Sequence, residues 1–286
     1  MKIIEKIKHI SSKENSKIAI GLGSKKGYIN RMKQLIPLIN DNKKLEILLV
    51  HNSSFKISEN EFNEKVEIVE AKNPSQMMIN LLLKDKVDGI VRGSIGSSVF
   101  LKNVKKAFKI NKISRIALLE DVNNRDFLFF PVGIDEARSI EEKLFFIKEG
   151  SDILNKIGII SSIAVLSGGR LGDIGRDKAV DKSIEDANIL IGKAKIKNIK
   201  NIFHSEILIE KAVKKANIIV APDGISGNLI YRTLVHLGNG LSHGALYLET
   251  YEEGKIIIDT SRVAPINEYR SAILFASAFK YILKNK

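Results

Sequence analysis

Short, almost unbroken apolar runs alternate along the chain with longer stretches in which apolar residues recur every three or four positions. The runs predict strands over 17–22 (KIAIGL), 45–51 (LEILLVH), 66–70, 87–92 (VDGIVR), 114–119, 127–132, 159–166 (IISSIAVL), 217–221, 244–248 and 255–259 (KIIID). The periodic stretches predict helices over 28–39, 74–85, 97–109, 135–156, 178–192, 204–216, 225–237 and 266–284. Several strands are apolar at nearly every position, as strands covered on both faces are. Strand and helix alternate throughout, which predicts an α/β architecture with mostly parallel sheets. Pro131 and Gly133 lie between a predicted strand and a long predicted helix and mark the expected domain boundary. The last strand and helix fit either half on pattern alone.

Composition narrows the chemistry. At 286 residues the chain is long enough to bury roughly three quarters of its unfolded surface without a disulfide or structural metal. It has no cysteine, which removes disulfides, thiolate nucleophiles and Cys-based metal sites. The five histidines include no pair at i, i+4 spacing, and no metal site is expected. The formal net charge is 46 − 33 = +13. The lysines are scattered; the densest segment, 193–215, holds seven of them with Phe203 as its one aromatic. This pattern reads chiefly as solvated lysine faces; it argues against a nucleic-acid interface and leaves a small anionic ligand as the expected partner where the charge has one. No apolar run reaches the ~20 residues of a membrane span. The N-terminus MKIIEKIKHI lacks the apolar core and cleavage site of a signal peptide, so a cytoplasmic protein is expected.

In α/β sheets, ligands bind where loops leave the carboxyl ends of strands, and five such loops carry chemistry. Gly21–Gly27 is glycine-rich but lacks dinucleotide-fingerprint spacing, and reads as an anion loop or a plain turn. In the second, Arg92, Gly93, Ser94, Ser97 and Ser98 precede a helix, where serine hydroxyls, backbone N–H groups and a guanidinium fork suit phosphate. The same serines would serve equally as helix caps. The third, 167–176, has four glycines with Arg170 and Arg176, and reads as a cationic contact or a mobile surface loop. The fourth places Asp223, Ser226, Gly227 and Asn228 at a helix start. The fifth sets Asp259, Ser261 and Arg262 within four residues, a grouping that binds an anion or forms a cap with a surface ion pair.

The order of these loops resembles the phosphate acetyl/butyryltransferase family. Asp223, Gly227, Asn228 and Tyr231 match its D…GN…YK…L motif, and Asp259, Ser261 and Arg262 match its D-x-S-R turn. DGIVRGSIGSS at 88–98 is similar to D-G-x-V-x-G-x-x-x-T-T, and SIAVLSGGRLGD to V-x-x-L-S-x-s-x-x-G. Within that superfamily the chain resembles a small group known mainly from methanogens, called methanogenesis marker protein four or "putative methyltransferase subunit X". The resemblance implies an isopropylmalate dehydrogenase-like, phosphotransacetylase-like fold of two α/β domains with an interdomain cleft, usually as a homodimer. It implies domains at 1–131 plus 255–286 and at 132–254. It implies transfer of an acyl group between phosphate and coenzyme A or a related thiol, with no covalently bound cofactor.

Carried over residue by residue, the resemblance puts Ser261 and Arg262 at an acyl-phosphate and makes Glu268 the base toward the thiol. Arg92, Gly93, Ser94, Ser97, Ser98, Asp223, Gly227, Asn228 and Asp259 would line the substrate site. The chain departs from the family at three points: Val263 replaces a glycine, Glu268 replaces an aspartate, and Asn103, beside Lys102, replaces an arginine. The competing expectation is an accessory or regulatory subunit among methyltransferase subunits, binding a phosphorylated ligand without turnover. An NAD-linked dehydrogenase is disfavoured, because the late helices lack paired aspartates in D-x-x-x-D spacing.

Overall fold

The computed structural model describes all residues except 1, 24–26, 36, 38–40, 54–56, 58–61, 63 and 286. The chain divides into two compact units, Ile3–Ile113 with His243–Lys286, and Ser114–Ser242. The resemblance implies these divisions at 131/132 and 254/255. The first lies earlier because the predicted strand 127–132 pairs with strands of the second unit.

Unit 1 opens with α1 (Ile3–Ser11), β1 (Ser16–Gly21), α2 (Gly27–Lys33), β2 (Leu45–His51) and β3 (Val66–Glu70). It continues with α3 (Pro74–Leu83), β4 (Gly89–Val91) and α4 (Ser97–Phe108). Unit 2 carries β5 (Arg115–Glu120), β6 (Asp126–Phe130), α5 (Ile140–Lys156), β7 (Ile163–Leu166) and α6 (Lys178–Ile196). It ends with β8 (Ile202–Glu206), α7 (Ile209–Ala212), β9 (Ile218–Val220) and α8 (Gly224–His236). The chain then returns to unit 1 through β10 (Leu241–Tyr247), α9 (Leu248–Glu252), β11 (Ile256–Asp259) and α10 (Ile266–Lys284).

The strand order in unit 1 is β3-β2-β1-β4-β11-β10, parallel throughout except for antiparallel β10. In unit 2 it is β5-β6-β9-β7-β8, with β5 and β6 antiparallel and the rest parallel. The fold is therefore α/β with mostly parallel strands, as the alternation predicts. Ile18, Ile20, Ile90, Ile257 and Ile258 are fully buried, as the unbroken apolar runs require. Helices α3 and α4 cover one core with Met78, Ile79, Phe100 and Val104. Helix α10 packs on α1, β1, β4 and β11, burying Phe275 and Phe279. Each such side chain contributes about 1.5–3 kcal/mol when fully buried. In unit 2, Phe130 stacks on Phe146 at 4.9 Å.

Two elements differ from the sequence reading. Helix α1 was not expected, although Ile3, Ile4, Ile7 and Ile10 bury one face at helical spacing. The expected helix 204–216 is instead the half-buried strand β8, a turn and the single helical turn α7. Helix 28–39 is α2 up to Lys33, and residues 36 and 38–39 lie outside the described set. No helix among the described residues is long and apolar enough to cross a membrane.

Candidate functional site

Strands β1, β4 and β11 are parallel neighbours, so the loops after them leave one edge of unit 1 side by side. Arg92 fastens two of these loops. It is 5% exposed; its Nε donates to Asp259 Oδ1, Nη2 to Thr260 O, and Nη1 to Ile95 O at 2.5 Å. Burial works against its charge, but Asp259, together with Tyr247 and Tyr269, outweighs that and holds the guanidinium protonated. Thr260 Oγ1 donates to Gly93 O (3.1 Å), Ser94 N to Gly21 O (3.0 Å), and Gly23 N to Ser94 Oγ (2.9 Å). Gly93 sits at φ 62°, where a Cβ would lie 2.1 Å from Gly21 O, so only glycine fits there. Arg92, Gly93, Ser94 and Asp259, expected to face a ligand, are buried and lock the loops to each other. Ser24, Lys25 and Lys26 of the first loop lie outside the described residues.

The outward-facing groups on this edge are Ser97, Ser98 and Arg262, with Ser261 half-buried. The N-cap position before α4 is Gly96, which has extended backbone and no side chain to cap the helix, so neither serine plays the capping role. Its first N–H groups and two hydroxyls form an uncapped positive helix end. The turn carrying Ser261 and Arg262 is held from α10. Ser261 N donates to Glu268 Oε1 (2.6 Å), and the Tyr269 hydroxyl is shared between Ser261 O (3.3 Å) and Arg262 O (3.2 Å). Burial pushes the Tyr269 hydroxyl up to about 12, so it stays a donor. Arg31 Nη1 donates to Ala264 O (2.8 Å). Glu268, expected as a base toward a thiol, is 2% exposed and spends one oxygen on the Ser261 amide. Asn103, at the family's arginine position, donates to Ser75 Oγ (3.0 Å).

In unit 2 the D…GN motif fastens a helix. Asp223 caps α8, accepting from Ile225 N (2.8 Å) and Ser226 N (2.9 Å). Asn228 Nδ2 donates to Val132 O (2.7 Å). A Cβ at Gly227 would lie 2.0 Å from Pro131 O, and one at Gly224 2.1 Å from Gly133 O. These residues therefore seat the first turn of α8 directly on the 131–133 segment.

The cationic loop 167–176 is also internally bound. Arg176 pairs with Asp173, Gly168 N donates to Ser183 Oγ (2.8 Å), and Gly175 N to Asp181 Oδ1 (2.8 Å). Sequence spacing gave no sign that Ser167 Oγ meets His204 Nε2 at 2.8 Å, 37 positions away. Ser167 is 1% exposed and its hydroxyl donates to Gly169 O (2.8 Å), so His204 donates to it; the pair braces the loop and activates no nucleophile. Among the described residues no group of three or more His, Asp or Glu side chains is arranged to hold a metal ion.

No protein-family model matches the chain. It is 40% identical over 222 residues to "Putative methyltransferase mtx subunit X" of Methanosarcina mazei, covering 77% of each chain. It is 37% identical over 244 residues to an uncharacterized methyltransferase of Methanocaldococcus jannaschii, covering 83% of this chain and 94% of that one. Two solved structures share the fold. A phosphotransacetylase from Streptococcus pyogenes matches with TM-score 0.68 at 18% identity, covering 98% of this chain and 99% of that one. A branched-chain phosphotransacylase from Enterococcus faecalis matches with TM-score 0.68 at 16% identity, covering 92% and 99%. The fold is that of the phosphotransacetylases, and by its identity to the archaeal proteins the chain belongs to the "Putative methyltransferase mtx subunit X" family.

Proposed function

We propose that unit 1 is a phosphate acyltransferase-like binding unit for phosphate, an acyl phosphate or a coenzyme A-type anion. The carrying observation is the uncapped start of α4, with exposed Ser97 and Ser98, next to a turn presenting Ser261 and Arg262. Helix-start N–H groups, hydroxyls and a guanidinium fork are the donors a phosphoryl group needs. In an acyl transfer between phosphate and a thiol, the same donors would hold the negative charge that develops on the reacting oxygen.

A second reading is favoured by Glu268. A general base must be free to reach the proton it takes, whereas this carboxylate is buried and accepts from Ser261 N. On that reading the chain is an accessory or regulatory subunit of a methyl-transfer system that binds the anion without turnover. The "subunit" in the relatives' names supports it.

Thermal-shift titration with phosphate, acetyl phosphate, butyryl phosphate, coenzyme A, methyl-coenzyme M and a corrinoid tests the binding. A ligand at a hundred times its Kd stabilises by ~2.7 kcal/mol. Arg262→Ala is expected to weaken phosphate binding by about 1.5–3 kcal/mol, and Arg262→Lys to restore only part of it, since an ammonium lacks the fork. Unchanged binding in Arg262→Ala would overturn the site. Acetyl-coenzyme A formation from acetyl phosphate would support the transferase reading; binding without it supports the accessory one.

A further inference from the structure

Unit 2 has a cavity of about 490 Å³ beside the carboxyl ends of its parallel strands, bounded by the loop after β6 and the first turns of α6 and α8. Lys143, from the first turn of α5, lines it while only 9% exposed. Its Nζ donates to Pro222 O at 2.5 Å. An ammonium has three donors, and among the described residues this is the only hydrogen bond it makes. Leaving buried donors unmet is costly.

The lining's formal charges balance, with Arg138, Lys143 and Lys182 against Glu136, Asp186 and Asp223, but they are not all paired with each other. Lys182 pairs with Asp186 at 2.8 Å, and Glu136 with Arg115 at 2.6 Å. Asp223 spends Oδ1 on the α8 amides. Lys143 and Arg138 are left as cations with no carboxylate in ion-pair contact among the described residues. Burial pulls the Lys143 ammonium below its ordinary range, with Asp186 and Asp223 opposing. An oxyanion drawn to the ammonium would oppose that pull as well. The cavity wall is also held unusually: Ala137, buried, stands at φ 50°, a region that side chains other than glycine avoid.

We propose that this cavity in unit 2 is an anion site, taking one small oxyanion, a phosphate or a carboxylate, whose oxygens accept from Lys143 Nζ with Arg138 at the rim. The test uses the full chain carrying Arg262→Ala, so that the unit 1 edge does not contribute. Inorganic phosphate and acetate are titrated calorimetrically into this protein, and the one that binds identifies the oxyanion. One-to-one binding is expected, weakened at least tenfold by adding Lys143→Met and several-fold by adding Arg138→Ala. Absence of binding for both anions in the Arg262→Ala chain would overturn the proposal, as would unchanged affinity after Lys143→Met. Should Lys143→Met fail to fold, reductive methylation of the Arg262→Ala chain with and without phosphate and acetate, read by mass spectrometry, decides the matter. Protection of Lys143 by either anion supports the site; equal labelling in both cases refutes it.

Discussion

Arg92 and Asp259 form a buried ion pair across 167 positions of sequence, with side chains 6% and 9% exposed. Removing one member of such a pair leaves a buried charge without its partner, which costs about 3–5 kcal/mol. Arg92→Met is therefore expected to lower stability by that order in urea melts. The double variant with Asp259→Leu should recover much of the loss, because it removes the stranded carboxylate. A second residue-scale prediction concerns pH. Burial, helped by the nearby positive charge of Lys8, lowers His243 to about 4 from 6.5. Between those values the unfolded chain holds a proton on this residue that the folded chain does not. Stability therefore rises with pH across the window and is lost as pH falls from 6.5 toward 4, by on the order of 3 kcal/mol in full. His243→Gln should flatten that part of the stability–pH curve; an unchanged slope would show that other groups govern it.

At the scale of elements, α8 is seated by glycines. Among its described residues only Gly224 and Gly227 are buried, so the helix is held mainly at its start. Gly227→Ala would press a methyl group into Pro131 O and is expected to cost about 1–3 kcal/mol, seen as a lowered urea midpoint at unchanged m. The fold was legible here because strands covered on both faces are apolar at nearly every position, as KIAIGL and KIIID are. Helix α1 was equally legible in Ile3, Ile4, Ile7 and Ile10, although it is short and lies at the terminus, where targeting segments also carry apolar residues. Strand β8 was not legible: its half-buried side chains, Phe203 and His204 among them, show no clean alternation, and the lysine-rich stretch that follows has helical spacing. In the candidate site the residue types were readable and their orientations were not. Whether Arg92 faces a ligand or the interior depends on Asp259, Thr260 and Ile95, two of which are brought to it only by the pairing of β4 with β11. Lys143 gave no sequence signal, because one lysine among many is marked only by its burial.

For the whole molecule, charge connects the two proposed sites and also separates them. The chain carries +13 in 286 residues, so its surface attracts anions before any specific contact forms. Arg262 is exposed, and its attraction for phosphate passes through water and counterions. Lys143 is almost entirely enclosed, where screening by salt is much weaker. The Debye length falls from about 10 Å at 0.1 M salt to about 3 Å at 1 M. Phosphate affinity measured in Lys143→Met, which reports the Arg262 edge, is expected to drop several-fold over that range. Phosphate affinity measured in Arg262→Ala, which reports the cavity in unit 2, is expected to change by much less. Calorimetric titrations of both variants across a potassium chloride series give the two slopes. Equal slopes would mean that the anion meets Lys143 from solvent rather than inside the cavity. A steeper slope for the Lys143 arm would reverse the assignment of which site is enclosed.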